Sequence, residues 1–471
     1  MSPIEDSPFM LIEQLKSIVG PNGWKTDAND LEPHLTEWRN AVRGRTPIMV
    51  SPKTTEEVAA IVKSCAAAAV AIVPQGGNTG MCAGAVPDNS GEQVLLNLAR
   101  LNQIRSVDAD NFSMVVDAGC ILEKIQDAAE NAGRYFPLSL AAEGSCQIGG
   151  NLATNAGGLN VIRYGTARNL ALGLEVVLAD GTIWNGLRTL RKDTAGYDLK
   201  QLFIGSEGTL GIITAAALRL FPKPGETRTV LLAMEQAEHA TDLLSIMKIA
   251  LPDRVQTFEL VSGKCFALVE KHIADSKLPF AEAYPWYVMI EAEVGNASGV
   301  LEELLTDCFE RRLIVDAIIA KNDAEAGKLW RLRHSIADAE KLAGPALKHD
   351  ISVPIASMAR FLDLAEPRVN AAVPGAKIIA FGHVGDGNLH YNVVLPDGLT
   401  ADQRDEFAAL GTATVYDLVA ELGGSFSAEH GVGYLKKSYL TKYRSEVEVN
   451  LMRSLKATLD PHNLLNPGKV L

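Results

Sequence analysis

Two histidines flanking a glycine turn give the chain its sharpest chemical signature. Gly382-His383-Val384-Gly385-Asp386-Gly387-Asn388-Leu389-His390-Tyr391-Asn392 reads as two strands, 381–384 and 389–395, joined at Asp386-Gly387, a favoured two-residue hairpin turn. In that register Gly385 faces Asn388, Val384 faces Leu389 and His383 faces His390. Opposed residues share a face of the sheet with Cβ atoms about 4.5–5.5 Å apart, so both imidazoles can reach one metal ion. Asn392, two residues on, projects from the same face. Ser427-Ala428-Glu429-His430-Gly431 then offers the Glu429 carboxylate as a third ligand. Two histidines and a carboxylate with an open position suit zinc first, and also Mn²⁺ or Fe²⁺. A structural imidazole pair without metal is the alternative reading.

His430 reads as a general base, with a satisfied, partly buried histidine as the alternative. A hydroxyl group that reacts at such a site needs an acceptor for its proton. A metal that holds the hydroxyl acidifies it, and a side chain type that titrates near neutrality can take the proton. Arg333, in Trp330-Arg331-Leu332-Arg333, can clamp a carboxylate with two parallel bonds, and Lys348 offers a point charge. A solvated helix arginine and a strand-edge lysine are the plainer readings.

The second signal is glycine. Pro74-Gln75-Gly76-Gly77-Asn78-Thr79-Gly80 follows a strand, residues 143–158 form a denser run, and Gly205-Ser206-Glu207-Gly208-Thr209-Leu210-Gly211 precedes another strand. Without Cβ atoms such loops bring backbone amides close to a phosphate or a ring carbonyl. The first loop lacks the spacing of a Rossmann fingerprint, and Lys-Ser/Thr is missing for a P-loop. Taken singly, each loop is as compatible with tight-turn architecture as with a ligand.

The elements that must hold these groups follow from pattern. Residues 48–50 read as a strand, Thr54-Thr55-Glu56-Glu57 as a capping box opening a helix to about Ala67, and residues 70–73 as the next strand. Strands at 93–98 and 114–118, a helix at 121–132 and a hairpin about Asp180-Gly181 come next. Phe221-Pro222-Lys223-Pro224 stops the pattern. The division expected is an N-terminal helical segment (1–42), a glycine-rich domain (43–222), a second domain (223–425) and a C-terminal segment (426–471) that includes a helix-like stretch from Ser438.

With 471 residues the chain can bury a large cofactor, and its 47% hydrophobic and 21% charged content fits a packed α+β enzyme. A formal charge of −13 with scattered lysine and arginine disfavours nucleic acid and anionic membranes. No run of 18 apolar residues and no basic leader is visible, so a cytoplasmic address is expected. The six cysteines, without C-x-x-C spacing, read as reduced thiols.

Taken together, residues 74–81, 143–158, 205–213 and Asn466-Pro467-Gly468-Lys469 resemble the FAD-binding parts of the vanillyl-alcohol-oxidase-type flavoproteins, within them the D-lactate, glycolate and D-2-hydroxyglutarate dehydrogenases. The resemblance covers residues 43–471. It implies an FAD-binding domain of two subdomains (43–222), an α+β cap domain with an antiparallel sheet for substrate and metal (223–425), and a C-terminal return to the FAD domain.

Carried over by residue, it puts Pro74, Gly76, Gly77, Asn78, Thr79, Gly80 and Met81 at the FAD pyrophosphate. Glu143, Ser145, Gly149, Gly150, Asn151, Thr154, Gly157 and Gly158 follow along the flavin and ribityl path. Glu207, Gly208 and Gly211 are also at the cofactor, Ile213 lies near the adenine end, and Asn466 returns from the C-terminus. Relatives with covalent flavin often carry histidine at Asn78, so the FAD is expected to dissociate. The resemblance matches His383, His390 and Glu429 to metal ligands, and Arg333, Lys348 and Asn392 to the substrate pocket. One departure is Ala337, where 2-hydroxyglutarate enzymes carry threonine.

The activity implied is oxidation of a small D-2-hydroxy acid, D-2-hydroxyglutarate first and D-lactate or glycolate next, with an electron-transfer flavoprotein or quinone as acceptor. The resemblance is also compatible with a homodimer. A zinc hydrolase using His383, His390 and Glu429, and a flavin carrier without substrate oxidation, are the rivals.

Overall fold

Local capping and two-sided burial explain the first elements of the structure, a computed structural model that describes residues 8–295 and 298–471. Residues 1–7 of the expected N-terminal helical segment lie outside the described residues; the helices Pro8–Val19 and Ala28–Leu35 fall within them. Thr54 caps the helix Thr55–Ala67 by accepting the Glu57 N–H, while the Glu57 carboxylate takes the Lys53 N–H, one residue before the position a capping box requires. The strands Ile72–Gln75 and Val94–Asn97 pair in parallel, and Met49–Val50 flanks the second of them. Val94–Asn97 is buried on both faces, as its unbroken apolar start requires.

An antiparallel sheet follows, in the order Ile104–Asp108, Ser113–Asp117, Ile212–Arg219, Ala171–Val177, Ile183–Gly186. The expected turn at Asp180-Gly181 closes its last hairpin, with Gly181 at φ +76°. After the helices Lys437–Tyr443 and Glu446–Leu459 the chain returns to the strand Ile72–Gln75: Leu464 accepts the Ile72 N–H and Asn466 donates to the Ile72 carbonyl.

The chain divides into two compact units: residues 1–157, 165–223 and 429–471 in the first, 158–164 and 224–428 in the second. The excursion 158–164 is held in the second unit by the Arg163–Glu293 ion pair at 2.6 Å, and by Ile162, whose Cδ1 would lie 2.6 Å from a Cβ on Gly385.

The second unit is built on one antiparallel sheet. Its order is Asp316–Ile319, Thr227–Met234, Trp286–Glu293, Val255–Ser262, Lys377–Gly382, Asn388–Val394, Ala346–Leu347, with Asp350–Ser352 also paired to Asn388–Val394. Val261, Ile379 and Phe381 pack on one face with Phe266, Leu329, Leu332, Ile336 and Ala339 of three helices. Register places Val261 opposite Phe381, Phe381 opposite His390, Ile379 opposite Asn392, and His390 opposite Asp350. Alternation adds Glu259 to this face.

The hairpin expected at Asp386-Gly387 is corrected here. The first strand ends at Gly382, residues Val384–Asp386 form a 3₁₀ turn, and His390 opposes Phe381 rather than His383. The Asp386 and Asn388 N–H groups both donate to the His383 carbonyl, which closes a local turn in place of two ladder rungs. Gly387, at φ +86°, sits so close to the Val353 carbonyl that a Cβ would lie 2.5 Å from it.

Candidate functional site

In the first unit the glycine loops converge on a cleft of about 890 Å³, counting space open to solvent. Pro74, Gly76, Gly77, Asn78, Thr79, Gly80, Gly149, Gly150, Asn151, Thr154, Glu207, Gly208, Gly211, Ile213 and His430 all line it. Met81, Glu143, Ser145, Gly157 and Asn466 belong to this unit outside that lining, and Gly158 belongs to the second unit. Asn466 still supports the wall, donating to the carbonyls of Gly84 and Glu207 at 2.8 Å each.

The cleft has the chemistry of an FAD site. Among the described residues the N–H groups of 77–80 find no acceptor within the protein, four donors in succession on one wall. A Cβ on Gly77 would lie 2.3 Å from the Ser145 carbonyl, so the two loops approach as only glycine permits. Gln147 Oε1 and Asn151 Oδ1, on residues of the same wall, are buried without a hydrogen-bond partner. A dinucleotide cofactor supplies what these groups lack: phosphate oxygens for the amides, and ribityl hydroxyl or ring N–H donors for the two amide oxygens. The Asn78 side chain turns away to the Thr36 carbonyl at 2.9 Å.

Glu207, expected at the cofactor, also braces this cleft. Its carboxylate accepts the N–H groups of Val432 at 2.7 Å and Gly433 at 2.8 Å, anchoring the segment that carries Glu429 and His430. Burial pushes the Glu207 carboxyl up, against the pull of those two N–H bonds. Glu429 and His430 lie side by side, Oε1 to Nε2 at 3.9 Å.

In the second unit the polar groups share one sheet face. His383 and His390 hold their rings 5.7 Å apart, edge to face, although they are not register partners. His390 is paired instead with Asp350, and ligand atoms of these two lie within 4.8 Å of each other. Asp350 also accepts from Asn388 Nδ2 at 3.0 Å and from the Ala428 N–H at 3.2 Å.

The expected substrate cations each meet a buried carboxylate. Arg333 pairs with Glu259 and lies over the Phe381 ring at 4.7 Å. Lys348 Nζ and Asn392 Nδ2 both reach Glu340 Oε2, at 2.9 and 3.0 Å, while Glu340 Oε1 is buried and unpaired. Burial alone would raise the Glu259 carboxyl; His383 and Arg333 beside it outweigh that and hold it well below the carboxylate range. Sequence reasoning missed Glu259, Glu340, Asp350 and Gln147. The only signal for Glu259 is a charge inside the apolar run Thr257-Phe258-Glu259-Leu260-Val261.

Among the described residues no helix is long and apolar enough to cross a membrane. All six cysteines are buried, and none of them forms a disulfide.

Residues 46–186 match the FAD binding domain family, and residues 223–470 match FAD linked oxidases, C-terminal domain. D-2-hydroxyglutarate dehydrogenase, mitochondrial, from Bos taurus is 39% identical over 100% of this chain and 86% of its own length. D-2-hydroxyglutarate dehydrogenase from Xanthomonas citri pv. viticola is 40% identical over 95% of this chain and 93% of its own. A putative D-lactate dehydrogenase from Schizosaccharomyces pombe is 35% identical over 97% of this chain and 89% of its own. Of solved structures, p-cresol methylhydroxylase with substrate bound shares the fold, with a TM-score of 0.75 at 18% identity over 98% of this chain and 96% of that one. With both families matched in order along the chain and relatives spanning its whole length, the protein belongs to the FAD-linked oxidases.

Proposed function

We propose that the protein is an FAD-dependent D-2-hydroxy-acid dehydrogenase whose substrate is D-2-hydroxyglutarate, with D-lactate as the nearest alternative. The observation that carries this is the 39–40% identity, over nearly the whole chain, to two proteins named D-2-hydroxyglutarate dehydrogenase. Bound FAD would supply a two-electron acceptor for hydride from the substrate carbon.

The chain's own residues divide the remaining work. Arg333 and Lys348 take substrate carboxylates, with Asn392 as a neutral partner. His383, His390 and Glu429 are the proposed ligands of a divalent metal, zinc first, and Asp350, opposite His390, is a further carboxylate for it. Zinc would acidify the substrate hydroxyl, and His430 receives its proton. The FAD is noncovalent, because Asn78 spends its amide on Thr36 and an amide offers no ring nitrogen for attachment. An electron-transfer flavoprotein or a quinone would reoxidise the enzyme.

The test is anaerobic mixing of purified protein with D- and L-2-hydroxyglutarate, D-lactate and glycolate, reading flavin absorbance. D-2-hydroxyglutarate should bleach the flavin at least about tenfold more efficiently than D-lactate, a difference of about 1.4 kcal/mol. Preference for D-lactate would reassign the substrate, and no bleaching by any D-2-hydroxy acid would refute the activity.

A further inference from the structure

Glu259 lies in the middle of the strand Val255–Ser262, whose every residue is buried, and its side chain is 0% exposed. A carboxylate taken so far from water is strongly unfavourable unless each oxygen is matched. Here both are. Oε2 accepts from Arg333 Nε at 2.8 Å and stands 2.6 Å from Nη2 in the ion pair, and Oε1 meets His383 Nδ1. The three partners come from separate elements: the strand, the helix Asp323–His334 and the turn after Gly382. One buried group therefore joins the two side chains singled out for different tasks, a metal-ligand imidazole and a substrate-binding guanidinium.

We propose that Glu259 is a positioning residue that fixes both the tautomer of His383 and the orientation of Arg333; this rests on the reading of those two as ligand and clamp. An ionised carboxylate only accepts, so His383 keeps its proton on Nδ1 and presents the lone pair of Nε2, the form a metal requires. The same carboxylate occupies the Nε edge of Arg333, and the Phe381 ring covers its plane. What is left to a substrate carboxylate is the guanidinium end carrying Nη1. Because both bonds end on one short side chain of a central strand, metal ligand and clamp share a reference point. A bound hydroxy acid needs that, since its hydroxyl and carboxylate are rigidly spaced.

A plain structural ion pair would stabilise the fold without setting a tautomer, and Glu259→Gln separates the two roles. The amide keeps one acceptor and adds a donor. It either donates to His383 Nδ1, moving the proton to Nε2, or releases Arg333. In the full chain loaded with FAD, zinc affinity measured by chelator competition should fall about 10–100-fold. KM for the hydroxy acid should rise at least about tenfold with flavin content unchanged. Glu259→Asp, which restores an acceptor-only group at shorter reach, should recover part of the zinc affinity, and it carries the measurement if the glutamine variant does not fold. His383→Ala and Arg333→Ala, run alongside, locate a failure. Wild-type zinc affinity and KM in folded Glu259→Gln, with zinc lost in His383→Ala, overturns the positioning role. Zinc retained in His383→Ala overturns the ligand reading beneath it.

Discussion

Gly77 shows how a single missing atom shapes the cleft between the glycine loops. A Cβ there would stand 2.3 Å from the Ser145 carbonyl and 3.1 Å from the Cys146 Cα, backbone atoms that cannot swing aside. Gly77→Ala should therefore displace one loop from the other and weaken FAD binding at least about tenfold, or about 1.4 kcal/mol, measured by flavin fluorescence titration. Unchanged affinity would mean that the close approach of the loops is not what holds the cofactor. This residue was legible in the sequence, because glycine density is a local signal. Gln147 was not, although its orphaned Oε1 belongs to the same wall: a glutamine beside a glycine pair carries no mark. Glu259, Glu340 and Asp350 escaped for another reason. The partners of Glu259 lie 74 and 124 residues away, and pairing at that distance exists only once the sheet has formed.

Elements defined by short-range chemistry were read well, and those defined by a competing turn were not. The helix Thr55–Ala67 and the hairpin at Asp180-Gly181 stand where capping and turn residues put them. At Asp386-Gly387 the same turn rule failed, because the His383 carbonyl captures two N–H groups and Gly387 must fit against Val353. Between elements, Glu175 ties the start of that helix to the antiparallel sheet: Thr55 Oγ1 donates to its carboxylate at 2.6 Å and Arg105 Nη2 at 2.9 Å. Burial raises the Glu175 carboxyl, but the Arg105 and Thr55 bonds more than compensate and hold it below the ordinary value. A depressed carboxyl contributes stability that is complete above its unfolded value, about pH 4.3, and is lost as pH falls through the lower folded value. Glu175→Gln should thus cost about 1–3 kcal/mol at neutral pH and make the acid limb of the melting curve shallower, a change readable by thermal unfolding across pH. An acid limb identical to the wild type would show that the stabilising charge lies elsewhere.

At the scale of the whole chain, the sequence break at Pro222-Lys223-Pro224 falls beside the observed change of unit, whereas the excursion of residues 158–164 into the second unit leaves no compositional trace. It is a four-residue helix, Val161–Tyr164, whose place is decided by the Arg163–Glu293 ion pair and by the strand Val255–Ser262 it lies against. The consequence of the division is that the cofactor cleft is lined by first-unit residues alone, while His383, His390 and Asp350 belong to the second unit. FAD and metal should then protect different stretches of backbone. Free FAD at about 100 times its Kd would stabilise the binding-competent first unit by about 2.7 kcal/mol. Hydrogen exchange should accordingly slow at residues 76–80 and 147–154 on adding FAD, and at residues 350–352 and 388–394 on adding zinc. EDTA should reverse only the second set of changes and abolish turnover while the flavin stays bound. Release of flavin by the chelator, or loss of protection at 76–80 when zinc is withdrawn, would show that the two sites are one cooperative unit and that the metal reading must be rebuilt around the cofactor.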